Sequence, residues 1–164
     1  DVDFLPKCQM SRSDPIASPP LMKPETIAAM EADFRAFPFK CAGQVDEQEI
    51  REAEVALGRQ FPPDYFEFLK RFGGAIVGAY PVFGLRKAPR MGKAYSVVEV
   101  TNEYRGSGYP FHDWIIVSED HAGNPIGLAP DGRVYTFDHD FRQTLQIADS
   151  FEGYLRKECL EMPD

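Results

Sequence analysis

Residues 46–74 read DEQEIREAEVALGRQFPPDYFEFLKRFGG, and this stretch decides the fold. Apolar residues recur at helical spacing in both of its halves. Gly58 separates the halves and is suited to end the first helix, because glycine readily adopts the left-handed conformation found there. In the first half they are Ile50, Ala53 and Leu57; in the second half they are Tyr65, Phe68, Leu69 and Phe72. Pro63 suits the first turn of the second helix, because its missing N–H costs nothing there. The pattern therefore predicts two amphipathic helices that end at Gly58 and at Gly73-Gly74.

A further helix is predicted on each side of the strand-forming region. The apolar stripe of the N-terminal one, from Pro24 to Phe37, consists of Ile27, Met30, Phe34 and Phe37; that of the C-terminal one consists of Phe151, Tyr154, Leu155 and Cys159. The segments that begin at Asp46 and at Asp149 carry capping-box residues. In such a box a side chain at the helix start accepts a backbone N–H, and a glutamate further on reaches back.

Short runs rich in β-branched and aromatic residues follow the two central helices, and turn residues separate them. They cover 75–77, 81–85, 95–100, 114–117, 125–128 and 133–137. The segment 119–124 and the turn Ala129-Pro130-Asp131-Gly132 link the last three runs, so 114–138 should form a three-stranded antiparallel meander. Helices that flank a run of about five to six strands predict the α+β class.

The composition is that of a globular domain, with 43% hydrophobic and 27% charged residues among 164. A chain of this length buries about 69% of its extended surface, which suffices for one core. No apolar run approaches the roughly 18 residues that a membrane span needs. The net charge of −8 disfavours nucleic acid and membrane headgroups as ligands. Residues 113–164, with 4 basic and 11 acidic residues, carry −7, either for solubility or to steer a basic protein partner.

The three cysteines, Cys8, Cys41 and Cys159, are far apart in sequence and lack metal-ligand spacing. They predict neither a disulfide framework nor a zinc site. The first residues contain no basic segment followed by an apolar run, so no secretory signal is predicted. Both observations favour a reducing, cytoplasmic location.

The order of these motifs resembles the SUKH superfamily, the Smi/Knr type of domain. Its opening pattern is an acidic amphipathic helix, Leu-Gly, an apolar residue and Pro, Asp-Tyr, an aromatic-Leu pair and a Gly-Gly stop, and residues 50–74 follow that order. The remaining similarity lies in 114–117, Asp120, Gly123-Asn124, 132–135, 137–140 and 149–155. The likeness spans 46–160, so we expect a SUKH-like domain at 46–164 and an N-terminal extension with one amphipathic helix at 1–45.

The resemblance implies an α+β fold with a mostly antiparallel sheet. In bacteria it most often implies an immunity protein that binds and neutralises a polymorphic or contact-delivered toxin, whereas in fungi the similar domain belongs to a cell-wall and signalling regulator. We therefore expect a cognate toxin as partner, bound by a monomer or a homodimer without catalysis. The alternative is a regulatory adaptor or scaffold protein that docks through the helix from Pro24 to Phe37.

Catalytic and metal-binding chemistry is only weakly indicated. His139 lies between Asp138 and Asp140, but adjacent side chains on a strand point to opposite faces, which favours a surface turn over a site. Gly106-Ser107-Gly108 lacks the strand-to-helix context that exposes a nucleophilic serine. The sequence therefore predicts no catalytic residue, no metal and no cofactor.

Candidate contact residues come from one loop and from the acidic C-terminal third. Tyr104 and Tyr109 lie in the glycine-containing segment 103–112, where aromatic side chains beside flexible backbone suit adaptable contacts; half-packed loop aromatics are the alternative. If the toxin is a nuclease, acidic residues of the −7 segment, among them Asp149, would imitate the phosphates of its substrate. The predicted partner-binding residues are Glu103, Tyr104, Tyr109, Glu119, Asp120, Asp138 and Asp140.

Overall fold

The computed structural model describes residues 21–91, 96–110 and 112–163. Cys8 and the first residue of the predicted run 95–100 lie outside the described residues. The elements are α1 (Pro24–Ala36), α2 (Glu47–Leu57), α3 (Pro63–Phe72), β1 (Ala75–Val77), β2 (Tyr80–Val82), α4 (Val97–Arg105), β3 (Ile115–Glu119), β4 (Pro125–Leu128), β5 (Val134–Asp138), β6 (Gln143–Ala148) and α5 (Phe151–Tyr154). A 3₁₀ turn, Pro38–Lys40, follows α1, and a π-helical turn, Leu155–Cys159, continues α5.

The six strands form one sheet in the order β1-β2-β3-β4-β5-β6, and all neighbouring pairs are antiparallel. The predicted α+β class is confirmed, and so is the meander at 114–138, which corresponds to β3, β4 and β5. Trp114 is buried against β4 because Gly127 leaves room for its indole. A Cβ at Gly127 would lie 2.6 Å from Cε3 of Trp114.

The α2–α3 unit forms as the sequence predicts. Gly58 and Gly73 end the two helices with φ of +69° and +70°, a region that glycine enters without steric cost. Gly73 is also closely approached, because a Cβ there would lie 1.9 Å from the backbone oxygen of Gly43. The apolar faces of α2 and α3 are buried, so this unit supplies one wall of the core.

Neither predicted capping box forms. At the start of α5 the cap is Ser150, whose hydroxyl accepts the backbone N–H of Gly153 at 2.9 Å, whereas the N–H of Glu152 donates to Asp64 and not to Asp149. At the start of α2, Asp46 makes no side-chain cap bond, so the predicted capping box there is wrong. Glu49 instead accepts two hydrogen bonds from the Arg86 guanidinium, at 2.5 and 2.7 Å. A tertiary partner thus replaces the local one.

The predicted strand at 95–100 is wrong, because its described residues enter a helix. Ser96 caps α4 by accepting the backbone N–H of Val98 at 3.1 Å. Val97, Val100 and Thr101 are buried at helical spacing, and the Thr101 hydroxyl accepts the N–H of Ile116 at 3.0 Å. Packing against β3 therefore overrides the strand preference of the valines.

One strand was not predicted at all. β6 contains no aromatic residue, and its first four residues are exposed, so it lacks the alternation that marks a half-buried strand. It pairs with β5 in the register Thr136 with Leu145 and Phe137 with Thr144. This strand forms the far edge of the sheet and positions the site described below.

The N-terminal helix packs on the same core as the rest of the chain. Met30 and Phe34 of α1 are buried, and the Phe34 ring lies 5.2 Å from that of Phe72. Thr26 donates to Glu152 of α5 at 2.6 Å and accepts from Arg156 at 3.0 Å. Of the predicted apolar stripe, Met30 and Phe34 are buried and Ile27 is half-buried, whereas Phe37 at its end is exposed.

Candidate functional site

A pocket of about 570 Å³ opens where the C-terminal end of α4, the end of β3 and the turn between β5 and β6 meet. It is lined by Glu103, Tyr104, Ser107, Gly108, Tyr109, Glu119, His139 and Arg142. Four of the seven predicted contact residues thus converge on one concavity. We refer to it as the α4–β6 pocket.

Two of those predicted residues form a direct hydrogen bond in the pocket. The Tyr104 hydroxyl donates to Oε1 of Glu119 at 2.8 Å. Burial raises the pKa of Tyr104, and the Glu119 carboxylate raises this pKa further because a nearby negative charge opposes ionisation of the phenol. Tyr104 therefore stays neutral at physiological pH and holds the Glu119 carboxylate in a fixed position.

An aromatic wall forms a second side of the pocket. The rings of Tyr104 and Tyr109 lie 5.4 Å apart, and Tyr109 meets the buried Phe137 of β5 edge-on at 5.5 Å. Gly108 permits the turn before Tyr109 with a φ of +78°. The two tyrosines are half-buried and anchored on the sheet, so they offer a preorganised surface.

His139 is held in one orientation by a chain of polar side chains. Asp120 accepts from the Asn124 amide nitrogen at 3.0 Å, which directs the amide oxygen of Asn124 toward His139. That oxygen accepts the backbone N–H of His139 at 3.0 Å and also hydrogen-bonds its Nδ1. Because an amide oxygen only accepts, Nδ1 carries the ring proton. Nε2 then lies 3.5 Å from a carboxylate oxygen of Asp140.

The other three predicted contact residues lie beside the pocket and have different roles. Asp120 accepts the backbone N–H groups of Ala122 and Asn124 at 2.9 and 2.8 Å, so its carboxylate builds its own turn. Asp138 does the same for the β5–β6 turn, where it accepts the N–H groups of Asp140 and Phe141 at 2.9 and 3.1 Å. Asp140 is 75% exposed at the rim. The structure thus brings together four of the seven and assigns turn-forming contacts to two.

Three functional side chains were missed or undervalued in the sequence. Arg142 contributes the pocket's guanidinium, His139 reaches its wall, and Asn124 fixes His139. The spacing of Asp120 and Asn124 around Gly123 was the available signal, because Asp side chains commonly bond backbone groups within such turns. The position of Arg142 depends on the undetected strand β6.

The described residues of the pocket do not form a nucleophilic or metal-binding group. The serine that lines the pocket, Ser107, donates to the backbone oxygen of Glu103 at 2.6 Å and has no base within hydrogen-bond reach among the described residues. The described part of the chain holds no group of three or more His, Cys, Asp or Glu side chains that could bind a metal ion. The lining instead combines the carboxylates of Glu103 and Glu119 with the Arg142 guanidinium and two tyrosine side chains.

Helices packed on a six-stranded antiparallel meander, with a polar pocket at one end, define a small α+β domain. The chain belongs to the SMI1 / KNR4 family (SUKH-1), whose model matches residues 44–157. The family resemblance noted in the sequence is thereby confirmed. Domains of this family are often immunity proteins and are generally non-enzymatic. A search of curated proteins gives no match.

Membrane insertion of a helix finds no support in the described ranges. Within 21–91, 96–110 and 112–163, no helix combines the length and the apolar character that a bilayer crossing requires.

Proposed function

We propose that this protein is an immunity protein that neutralises a cognate polymorphic or contact-delivered toxin by binding it in the cytoplasm, without chemistry of its own. One observation supports this beyond family membership. Four residues from the end of α4, the loop after it and the end of β3, namely Glu103, Tyr104, Tyr109 and Glu119, line one pocket. Buried aromatic anchors with charged neighbours are typical of strong contacts at protein interfaces.

The charge distribution suggests how binding occurs. The 113–164 segment carries −7, and Asp140 and Asp149 on it are exposed. Such a surface accelerates the approach of a basic toxin, while the tyrosine wall of the pocket sets the rate of dissociation. A nuclease toxin has a basic substrate site, so occlusion of that site by this surface would block its activity.

The adaptor alternative is less well supported. It requires α1 to dock elsewhere through its apolar stripe, but Met30 and Phe34 are buried against the chain's own core. Thr26 and Glu152 add a hydrogen bond that holds α1 in place. Only Phe37 remains exposed on that stripe, which is a small docking area.

We expect the reading frame adjacent to that of this chain to encode a modular secreted protein with a toxic domain, and the test uses that domain as the binding probe. Replacing Glu103 and Glu119 together by glutamine removes two charges from the pocket, while glutamine at 119 can still accept from Tyr104. We expect affinity to fall about tenfold or more and association to lose part of its salt dependence, as measured by stopped-flow kinetics at several salt concentrations.

Glu25→Gln on α1 is the matched control, because Glu25 is exposed and lies outside the pocket. It should leave affinity unchanged. Equal affinity of the double variant and the wild type would contradict the α4–β6 pocket as the contact site. Failure of the wild-type protein to bind or to protect cells from the toxic domain would contradict the immunity function itself.

A further inference from the structure

The three turns that connect β3, β4, β5 and β6 each contain one residue with a positive φ. In the β3–β4 turn this residue is Gly123, at +81°, and in the β4–β5 turn it is Gly132, at +84°. In the β5–β6 turn it is Arg142, at +50°. Glycine enters this backbone region without steric cost, whereas a residue with a Cβ is strained there. An arginine therefore occupies a turn position that favours glycine.

No contact of the Arg142 side chain within the chain explains this strain. Arg142 is exposed and, among the described residues, its side chain forms no hydrogen bond or ion pair. The other three basic residues of the 113–164 segment each have a partner within the chain; they are Arg133, Arg156 and Lys157. Backbone strain that is kept without a structural contact is typical of functional positions.

The surroundings of Arg142 indicate what its guanidinium is available to bind. Arg142 lines the α4–β6 pocket together with Glu103 and Glu119. Neither of these carboxylates forms an ion pair with it in the described part of the chain, and Glu119 is already held by the Tyr104 hydroxyl. The pocket thus keeps an unpaired positive charge beside two negative ones. A guanidinium binds a carboxylate best, because two parallel N–H groups match its two oxygens.

We propose that Arg142 is a specificity-determining residue of the α4–β6 pocket and binds an aspartate or glutamate carboxylate of the toxin. The inference rests on the immunity function proposed above and adds the chemistry of one contact. The 113–164 segment, at −7, attracts any basic protein, so its charge alone does not distinguish the cognate toxin. A guanidinium within this surface repels a partner with a cation at that point and stabilises one with a carboxylate there.

The first experiment measures how fast the toxic domain dissociates from Arg142→Gln, by stopped-flow competition. The dissociation rate should rise about tenfold or more, because a charge-assisted hydrogen bond is lost at the contact. Association should not slow, since the substitution removes a positive charge from a surface that attracts a basic protein. Arg142→Lys keeps the charge without the planar guanidinium and should recover only part of the loss.

Lys157→Gln is the charge-matched control for this experiment. It removes one positive charge from the same segment, but Lys157 is 63% exposed and lies outside the pocket. Its dissociation rate should equal that of the wild type. Equal rates for Arg142→Gln and the wild type, or equal increases in both variants, would overturn the proposal. Failure of the wild-type protein to bind the toxic domain would instead contradict the immunity function, so the two failures are distinguishable.

Double-mutant cycles identify the partner group on the toxic domain. Its exposed aspartates and glutamates are replaced one at a time by asparagine or glutamine. One of these changes should weaken binding to the wild-type protein about tenfold or more and have little effect on binding to Arg142→Gln. A toxic domain on which no carboxylate is coupled to Arg142 in this way would overturn the proposal.

Thermal melting of Arg142→Gly tests the origin of the strain in the chain alone. Because glycine reaches this φ without a clash, the melting temperature should equal or exceed that of the wild type. Glu161→Gly is the control, because Glu161 is the other described non-glycine residue with a positive φ, at +52°, and lies outside the pocket. Arg142→Gly should speed dissociation of the toxic domain, and Glu161→Gly should not. A lower melting temperature for Arg142→Gly would assign Arg142 to the stability of the turn and overturn the proposal.

Discussion

The two ends of the sheet differ in how their polar groups are hydrogen-bonded. We call the β1 end, where Cys41 bridges Ala75, the covered end, and the β6 end, beside which no described strand lies, the open end. At the covered end, around β1 and β2, hydroxyls are buried: Tyr65 donates to the Phe83 carbonyl at 2.6 Å, and Tyr154 to the Ser118 hydroxyl at 2.9 Å. At the open end, around β5 and β6, polar groups lie half-exposed in turns and along the α4–β6 pocket. The comparison indicates that stability depends chiefly on the first end, while the second is available for binding.

The largest difference between the two ends should appear on removal of an aromatic ring. Phe68 is fully buried and contacts the rings of Tyr65, Phe72 and Phe151. Phe68→Ala should lower the free energy of unfolding by about 3–5 kcal/mol, measured by urea denaturation.

The open-end control for that change is Phe141→Ala, which removes the same ring from a position that is 79% exposed. It should cost less than about 0.5 kcal/mol in dilute solution. Similar losses for the two variants would end the distinction between the covered and open ends.

The second-largest effect is expected from alkaline pH, which should lower the free energy of unfolding through buried groups at the covered end. Burial raises the pKa of Cys159 from 9.0 to about 12, so the folded state retains a proton that the unfolded state releases. Stability is then unaffected below about pH 9 and falls as pH rises from there through about 12. Burial raises the pKa values of Tyr65 and Tyr154 as well, which adds to the loss. The Cys159 contribution near pH 11 is about 2–3 kcal/mol.

This contribution is isolated by comparing Cys159→Ala with the wild type in urea denaturation at neutral and alkaline pH. The variant loses packing at every pH, but its further loss on alkalinisation should be smaller than that of the wild type. Parallel pH profiles for the two proteins would contradict a retained proton on Cys159.

A smaller effect is expected from the polar turn at the open end. Asn124 is buried and links Asp120 to His139 through side-chain hydrogen bonds. Asn124→Ala leaves both partners able to reach water, so the free energy of unfolding should fall by only about 1–2 kcal/mol. The NMR signals of the His139 ring should report the loss of its fixed orientation. An unchanged ring spectrum would mean that Asn124 does not orient His139.

The smallest change in stability is expected from a substitution in the α4–β6 pocket. Tyr104→Phe removes the hydrogen bond to Glu119 but keeps the ring, so stability should change by less than about 1 kcal/mol in thermal or urea denaturation. Affinity for the toxic domain should nevertheless fall, because the Glu119 carboxylate is no longer held. A large loss of stability with unchanged affinity would reverse the roles assigned to the two ends.

The sequence predicted the covered end better than the open one. The helices α2 and α3 were predicted because local signals and tertiary packing agree there: Gly58 and Gly73 end the helices, and the apolar stripes face the core. The strand prediction at 95–100 failed because consecutive valines favour extended backbone locally. Burial of Val97 and Val100 at helical spacing is a tertiary fact that the sequence alone does not reveal.

The site was partly predictable for a similar reason. Tyr104 and Tyr109 were predicted because they share a short glycine-containing segment, and Glu119 was predicted because it belongs to the acidic C-terminal third. Their meeting in one pocket was not predicted. Asp120 and Asp138 were chosen for their charge, but their carboxylates are used in turns. Arg142 depends on an edge strand whose exposed side chains leave no periodic signal, and only the three-dimensional register of β6 reveals it.

The meander order also has a consequence for biosynthesis. Strands that are neighbours in the sheet are neighbours in the chain, so a polypeptide leaving the ribosome can add one hairpin at a time. The first helix cannot be locked in this way, because its Thr26 bonds Glu152, a residue of α5. This hydrogen bond must therefore await synthesis of α5, and a nascent chain that stops before α5 holds α1 only through its apolar contacts, such as Phe34 with Phe72.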